Sequence, residues 1–106
     1  MNPNEADDPL AVRVKEIAHR TLVGDYDPLL ACRELADLRE QLQPIGDEIM
    51  DVFVGVASEV DDLPIGEERW HWAEDALKSV DVAASDYRER VRSAVQEALQ
   101  KLLLLI

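Results

Sequence analysis

The chain has 106 residues, of which 47% are hydrophobic and 32% charged, and its formal net charge at pH 7 is −12. A chain of this size and composition can build one compact core. It lacks the positive charge that neutralises phosphates, so neither nucleic acid nor an anionic membrane surface is an expected partner.

Composition also indicates the compartment and the domain organisation. One cysteine excludes an internal disulfide framework and is typical of a reducing environment. The longest apolar run, residues 102–106, is far shorter than the ~20 residues that span a bilayer, and the acidic N-terminus does not resemble a secretory signal. We therefore expect a cytoplasmic protein with a disordered tail over residues 1–8 and a single helical domain over residues 9–106.

Two Asp-Pro pairs predict the starts of the first two helices. Asp8 and Asp27 each precede a proline, an arrangement in which the aspartate caps the helix and the proline occupies its first turn. Gly24 predicts the end of the first helix and Pro44 the end of the second. The apolar stripes are Leu10, Val14, Ile17, Ala18 and Thr21 on the first helix, and Ala31, Leu35, Leu38 and Leu42 on the second, with Cys32 at its edge.

The third segment, which starts at Asp47, has features of both a helix and a strand. Residues 49–56 are rich in β-branched side chains, which favours a strand, and Gly55 weakens a helix interior. Six apolar positions at helical spacing nevertheless favour a helix, with Asp47 as its cap. These positions are Ile45, Ile49, Val52, Phe53, Val56 and Val60.

The rest of the chain predicts a loop and two more helices. Pro64 and Gly66 indicate a loop over residues 61–69, followed by a short helix around residues 73–79. Asp81 is expected to cap a long last helix, whose apolar stripe extends over about seven turns. The stripe consists of Val80, Ala84, Tyr87, Val91, Ala94, Val95, Ala98, Leu102 and Leu105. The predicted fold is an all-α bundle of about five helices with a long C-terminal helix.

Negative charge is concentrated in the middle of the chain. Residues 47–77 hold ten acidic residues and one arginine, a net charge of −9 out of the total of −12. A surface this one-sided attracts basic partners, although acidity can also serve solubility alone. The carboxylates predicted to bind a basic protein are those of Asp47, Glu48, Asp51, Asp61, Asp62, Glu67 and Glu68.

Both tryptophans lie in this acidic block, at positions 70 and 72. Two residues apart, they cannot both face the core in the same way. Trp72 is expected to anchor the core, whereas Trp70 is expected to be partly exposed and to form the apolar centre of a binding surface. An alternative is purely structural, with Arg69 paired to Glu59 or Asp61 and Trp70 covering apolar surface.

Residues 58–77 carry a family resemblance. The pattern Ser58-Glu59, Asp61, Leu63-Pro64, Gly66, Arg69, Trp72 and Ala76-Leu77, followed by a long helix, resembles one in small uncharacterised bacterial all-α proteins. The motif covers about a fifth of the chain. It implies a fold and no particular activity.

Candidate catalytic and metal-binding groups do not converge in the sequence. Two Glu-x-x-His strings, Glu16–His19 and Glu68–His71, have the spacing that di-iron bundles use. On a helical wheel, however, Glu16 and His19 point ~140–160° away from the core stripe. Cys32, beside Arg33, is either an activated thiol or a small core residue, and its place on the stripe favours the core. We therefore predict no metal, no cofactor and no enzymatic activity.

Two functional hypotheses follow from these patterns. The first is an acidic protein-binding module, such as an immunity or inhibitor protein that occludes the basic site of a toxin or nuclease. The second is a homodimeric structural or adaptor domain, because Leu104 lies about 140° from the stripe of the last helix and would be exposed in a monomer.

Overall fold

The computed structural model describes residues 8–42 and 45–106. Over these ranges the chain forms four α-helices and one short 3₁₀ helix, without a strand. The α-helices are α1 (Pro9–Leu22), α2 (Pro28–Asp37), α3 (Asp47–Glu59) and α4 (Glu74–Leu105), and the 3₁₀ helix (Glu67–His71) lies between α3 and α4. The all-α class is confirmed. Residues 1–7 of the tail predicted over residues 1–8, and Pro44, lie outside the described residues, whereas Asp8 is the N-cap of α1.

The predicted starts of α1 and α2 are confirmed at the atomic level. Asp8 accepts a hydrogen bond from the backbone N–H of Leu10 at 3.0 Å, and Asp27 accepts one from Leu29 at 2.9 Å. Gly24 follows the end of α1 with a φ of +84°, a left-handed conformation that a residue without a Cβ adopts at little cost.

Helix α3 confirms the helical interpretation of residues 49–56 and excludes the strand. Its inward face buries Ile49, Met50, Phe53 and Val56. The predicted cap was wrong, because Gly46 has the extended conformation of an N-cap and Asp47 is already the first helical residue. In the first turn, the carboxylate of Asp47 still interacts favourably with the helix dipole.

The number of helices differs from the prediction because α4 is continuous. The predicted helix around residues 73–79 and the predicted last helix form one element of 32 residues. The segment contains no glycine or proline that would interrupt it. Asp81 does not cap a helix, since both of its carboxylate oxygens bind the guanidinium of Arg69.

A single cluster of buried side chains joins the four helices, with Phe53, Leu29, Leu35, Leu99 and Leu102 among its largest members. Helix α4 is longer than this core. At ~1.5 Å per residue it measures about 48 Å, close to the longest dimension of the molecule, 53 Å. Its buried residues extend from Ala84 to Leu102, so its first ten residues project past the core. Within the described ranges, no helix is both long enough and apolar enough to cross a membrane.

Candidate partner-binding surface

The segment between α3 and α4 is a loop held at three points. Pro64 and Ile65 are buried in the core. Arg33 on α2 donates a hydrogen bond to the carboxylate of Glu68 at 2.8 Å. Arg69 donates to the backbone oxygen of Pro64 at 3.2 Å and to the carboxylate of Asp81. We call residues 61–73 the acidic loop.

Arg69 fastens the acidic loop, but to a different partner than predicted. The predicted partners are Glu59 and Asp61, whereas the guanidinium forms a bidentate pair with Asp81 on α4, with Nη2 3.0 Å from Oδ2. A planar guanidinium matches two carboxylate oxygens at once, so this pair also sets the orientation of the loop against α4. Arg69 therefore holds the loop in place as expected, but its predicted partner was wrong.

The two loop ion pairs affect the ionisation of their carboxylates. The hydrogen bond from Arg33 is the largest cause of a lowered pKa at Glu68, and the bond from Arg69 has the same effect on the pKa of Asp81. Both carboxylates thus stay ionised to lower pH than usual. In both pairs an arginine of the same chain partly neutralises the carboxylate. Glu68 is therefore less available to a partner than the other predicted carboxylates.

The exposed features of the acidic loop are an aromatic ring and several carboxylates. Trp70, in the 3₁₀ helix, is 88% exposed, more so than the sequence analysis expects. Asp61, Asp62 and Glu67 are exposed in the same loop. We call these four residues the Trp70 surface. They combine a large exposed apolar side chain and exposed carboxylates in one loop, a composition that suits a binding surface for a basic partner.

Trp72 does not anchor the core as predicted, since 43% of its surface is exposed. Its backbone is extended (φ −107°, ψ 144°), between the 3₁₀ helix and α4, so it does not share a helix face with Ala76. The apolar residues of the loop that reach the core are Pro64 and Ile65 instead.

The structure separates the predicted acidic residues into two groups. Asp47, Glu48 and Asp51 are exposed in the first turns of α3, whereas Asp61 and Asp62 follow its last turn. Thirteen helical residues put about 18 Å between the two ends. The group at the start of α3 therefore does not belong to the Trp70 surface.

Two further carboxylates lie next to the acidic loop. Glu74 and Asp75 are exposed in the first turn of α4, two and three residues after Trp72. The sequence analysis counts them in the acidic block but does not select them as partner-binding residues. Their position directly after the tryptophans is the signal that could have identified them.

The candidate metal and catalytic groups do not assemble into a site. Glu16 and His19 are exposed on α1, and Glu68 is bound to Arg33. Among the residues described, no three His, Cys, Asp or Glu side chains lie close enough to hold a metal ion.

A cavity of about 560 Å³ lies at the α1–α2 turn and the middle of α4. None of its lining residues belongs to the acidic loop. Its most buried charges, Asp27 and Arg88, already form a bidentate pair with distances of 3.1 and 3.0 Å. This cavity therefore offers little unpaired charge to a ligand.

Cys32 is fully buried, and burial raises the pKa of its thiol to about 12, with a smaller contribution from the nearby carboxylate of Asp27. In the unfolded chain the thiol ionises near its ordinary pKa of 9.0. Because the folded-state pKa is higher, the unfolded chain alone loses a proton between these values, and stability falls as pH rises above about 9.

We expect the free energy of unfolding to decrease by at most ~1.4 kcal/mol per pH unit from this thiol. Urea denaturation between about pH 8 and pH 10 would measure the slope, with Cys32→Ala as the control that removes only the thiol. Tyr26 and Tyr87, whose pKa values are also raised mainly by burial, are present in both proteins, and only Tyr87 has a minor contribution from Cys32. Equal slopes in the two proteins would contradict the prediction.

A scan against protein-family models and searches of curated proteins and of solved structures give no match to this chain. The resemblance of residues 58–77 to small bacterial helical proteins therefore stays a prediction. What this chain binds has to be inferred from the geometry of its own residues.

Proposed function

We propose that the chain is an acidic protein-binding module that occludes the basic site of a partner, as an immunity or inhibitor protein does to a toxin or nuclease. The observation that carries this proposal is Trp70, 88% exposed on a loop that two arginines and two buried apolar residues hold in place. A reducing, cytoplasmic location suits the single buried free thiol.

The physical case begins with the tryptophan. An indole ring buries ~150–250 Å² when a partner covers it, and tryptophan is the residue type most often found among binding hot spots. Exposing such a ring to water costs free energy in the free protein, and a partner that covers the ring removes this cost. Since the acidic loop is already fastened by Arg33 and Arg69, binding would cost less ordering entropy than in a flexible loop.

The carboxylates determine the chemistry of the partner. Asp61, Asp62 and Glu67 are exposed beside Trp70 in the chain and can pair with Lys and Arg of a nucleic-acid groove. The group at the start of α3 lies too far along the helix for the same contact, and it contributes to the long-range attraction of a basic partner. Such charge complementarity accelerates encounter and sets specificity more than it sets affinity.

A tagged capture experiment tests the proposal. The whole chain is the bait in lysate of the source cell at low salt, retained proteins are eluted with a salt step, and they are identified by mass spectrometry. We expect a protein rich in Lys and Arg, whose dissociation constant then rises at least ~30-fold for Trp70→Ala.

Charge variants complete the test with a matched control. Neutralising Asp61, Asp62 and Glu67 as Asn or Gln should weaken binding at low salt more than the same change at Asp47, Glu48 and Asp51. Glu68 is left unchanged because it fastens the acidic loop to Arg33. Unchanged binding after the first set of substitutions, or a captured partner without excess basic residues, would refute the proposal.

A second candidate is a homodimeric structural or adaptor module. The observation behind it is the apolar end of α4, where Leu104 is 85% and Leu105 57% exposed. A second copy could cover these side chains in a two-fold symmetric contact. In this case the acidity would serve solubility alone.

Self-association separates the two candidates. If the second one holds, sedimentation equilibrium should detect a dimer that Leu104→Glu dissociates at least ~10-fold. Gln100→Glu, an exposed position one turn earlier on α4, makes the same kind of charge change away from the apolar end. A monomer at high concentration would exclude the homodimer.

A further inference from the structure

The apolar stripe of α4 continues past the core of the bundle. On a helical wheel at ~100° per residue, Ala73, Leu77 and Val80 lie within about 40° of Ala84, the first buried residue of the helix. They therefore lie on the same face as Val95 and Leu102. We call the part of this face that precedes the core, over residues 73–80, the α4 overhang, and we include Trp72, which lies directly before the helix.

The apolar side chains of the α4 overhang lie outside the core cluster of the bundle. Leu77 and Val80 are half-buried, Ala73 and Ala76 are exposed, and Trp72 is 43% exposed immediately before the helix. In the core of the bundle, the same stripe is buried at Ala84, Val95 and Leu102. Its half-buried members there, Tyr87 and Val91, pack against the core cluster. The overhang is thus an amphipathic helix face of about two turns that can accept another helix.

The charges around the overhang determine what can cover it. Residues 61–81 hold seven acidic and two basic residues. Two of the acids, Glu68 and Asp81, are paired with arginines, whereas Glu67 and Glu74 are exposed. Glu74 lies about 80° from Ala84 on the helical wheel and so borders the apolar face, whereas Asp75 lies on the opposite side of α4. A second copy would bring an equal excess of negative charge against this surface, which opposes association. A segment with both apolar and positively charged side chains can cover the apolar face and pair with the carboxylates.

We propose that the α4 overhang binds an amphipathic helix of the partner protein, with an apolar stripe flanked by Lys and Arg. This inference rests on the proposed function and specifies the structural element that the module recognises. Apolar side chains at helical spacing on α4 form ridges and grooves into which those of a second helix pack, and Trp72 extends the apolar contact at one end. The exposed carboxylates would pair with the flanking Lys and Arg.

A synthetic peptide of leucine and lysine, about 18 residues or five helical turns long, is a direct probe. Its leucines recur at helical spacing, and an isomer of the same composition alternates leucine and lysine instead. Trp70 and Trp72 are the only tryptophans in the mixture, so a blue shift of their emission on burial reports binding. The whole chain is titrated with each peptide at low salt, and variants are compared by the dissociation constant.

The helical peptide is expected to bind at least ~10-fold more tightly than the alternating isomer, and the double variant Leu77→Gln/Val80→Gln should weaken its binding at least ~10-fold. Val82→Gln is the matched control, because Val82 is 64% exposed and lies about 160° from the stripe of the same helix. It should change binding less than ~2-fold. Should the double variant fail to fold, the preference of the unmodified chain for the helical peptide decides the matter.

Other results would overturn the inference without deciding the proposed function. If both peptides bind equally and the double variant does not change their binding, the chain binds basic partners through its acidic residues and does not recognise a helix. A dimer of the chain alone that Leu77→Gln dissociates would identify a second copy as the occupant. The proposed function itself is refuted by the capture experiment and its variants: by a captured partner without excess basic residues, or by binding that neither Trp70→Ala nor the charge substitutions in the acidic loop weaken.

Discussion

Replacing Phe53 by alanine should lower the free energy of unfolding by about 3–5 kcal/mol. Phe53 is fully buried on α3, which packs against α2 and α4. The substitution removes the transfer free energy of the ring and leaves a cavity that the neighbouring helices fill only in part. Urea denaturation would measure the change, and a thermal scan should show Tm falling by more than ~10 °C.

Trp70→Ala is the matched control for this effect. It also removes an aromatic ring, but one that is 88% exposed, so we expect its stability change to stay within about 0.5 kcal/mol. The same variant is expected to lose binding in the capture experiment, which separates the residue that holds the fold together from the one that contacts a partner. Similar losses of stability for both variants would contradict the burial of Phe53 or the exposure of Trp70.

Asp27→Ala should destabilise the chain by about 2–3 kcal/mol, because one carboxylate makes two kinds of contact. It caps α2 through the backbone N–H of Leu29, a contact that typically contributes ~1 kcal/mol. It also accepts two hydrogen bonds from Arg88 on α4, and both side chains are only partly exposed (25% and 30%). Allowing for this partial exposure to solvent, the pair adds roughly another 1–2 kcal/mol.

Asp8→Ala provides the comparison for Asp27→Ala. Asp8 caps α1 in the same way, through Leu10, and forms no ion pair with another described residue. We expect a loss of about 0.5–1 kcal/mol from this exposed cap. Asp27→Asn should fall between the two, since an amide oxygen can still cap the helix while the charge opposite Arg88 is lost. Equal losses for Asp8→Ala and Asp27→Ala would indicate that the bond to Arg88 adds nothing.

Local signals in the sequence were sufficient for most of the secondary structure. The Asp-Pro pairs at positions 8 and 27 predict two helix starts because capping depends on atoms only two residues apart. The helical interpretation of α3 is correct because one face of it must be buried, and six apolar positions at helical spacing outweigh the β-branched composition. The exposure of Leu104 follows from the same periodicity.

The features that differ from the prediction depend on contacts distant along the chain. Asp81 looks like a helix cap in the sequence, but Arg69, twelve residues earlier, binds its carboxylate, and α4 continues through it. Trp72 is apolar enough for the core, yet Pro64 and Ile65 are the loop residues buried there. In each case a tertiary partner competes with the local preference.

Composition and the spacing of residues within one helix are sufficient to predict that this chain is helical and acidic, where most of its helices begin and which faces they bury. Which charges pair with one another depends instead on contacts between residues distant along the chain. Helix α3 holds the two groups of predicted carboxylates about 18 Å apart. The arginine pairs fasten the acidic loop so that Trp70 stays in solvent, and α4 extends past the core with an apolar face that is only partly covered.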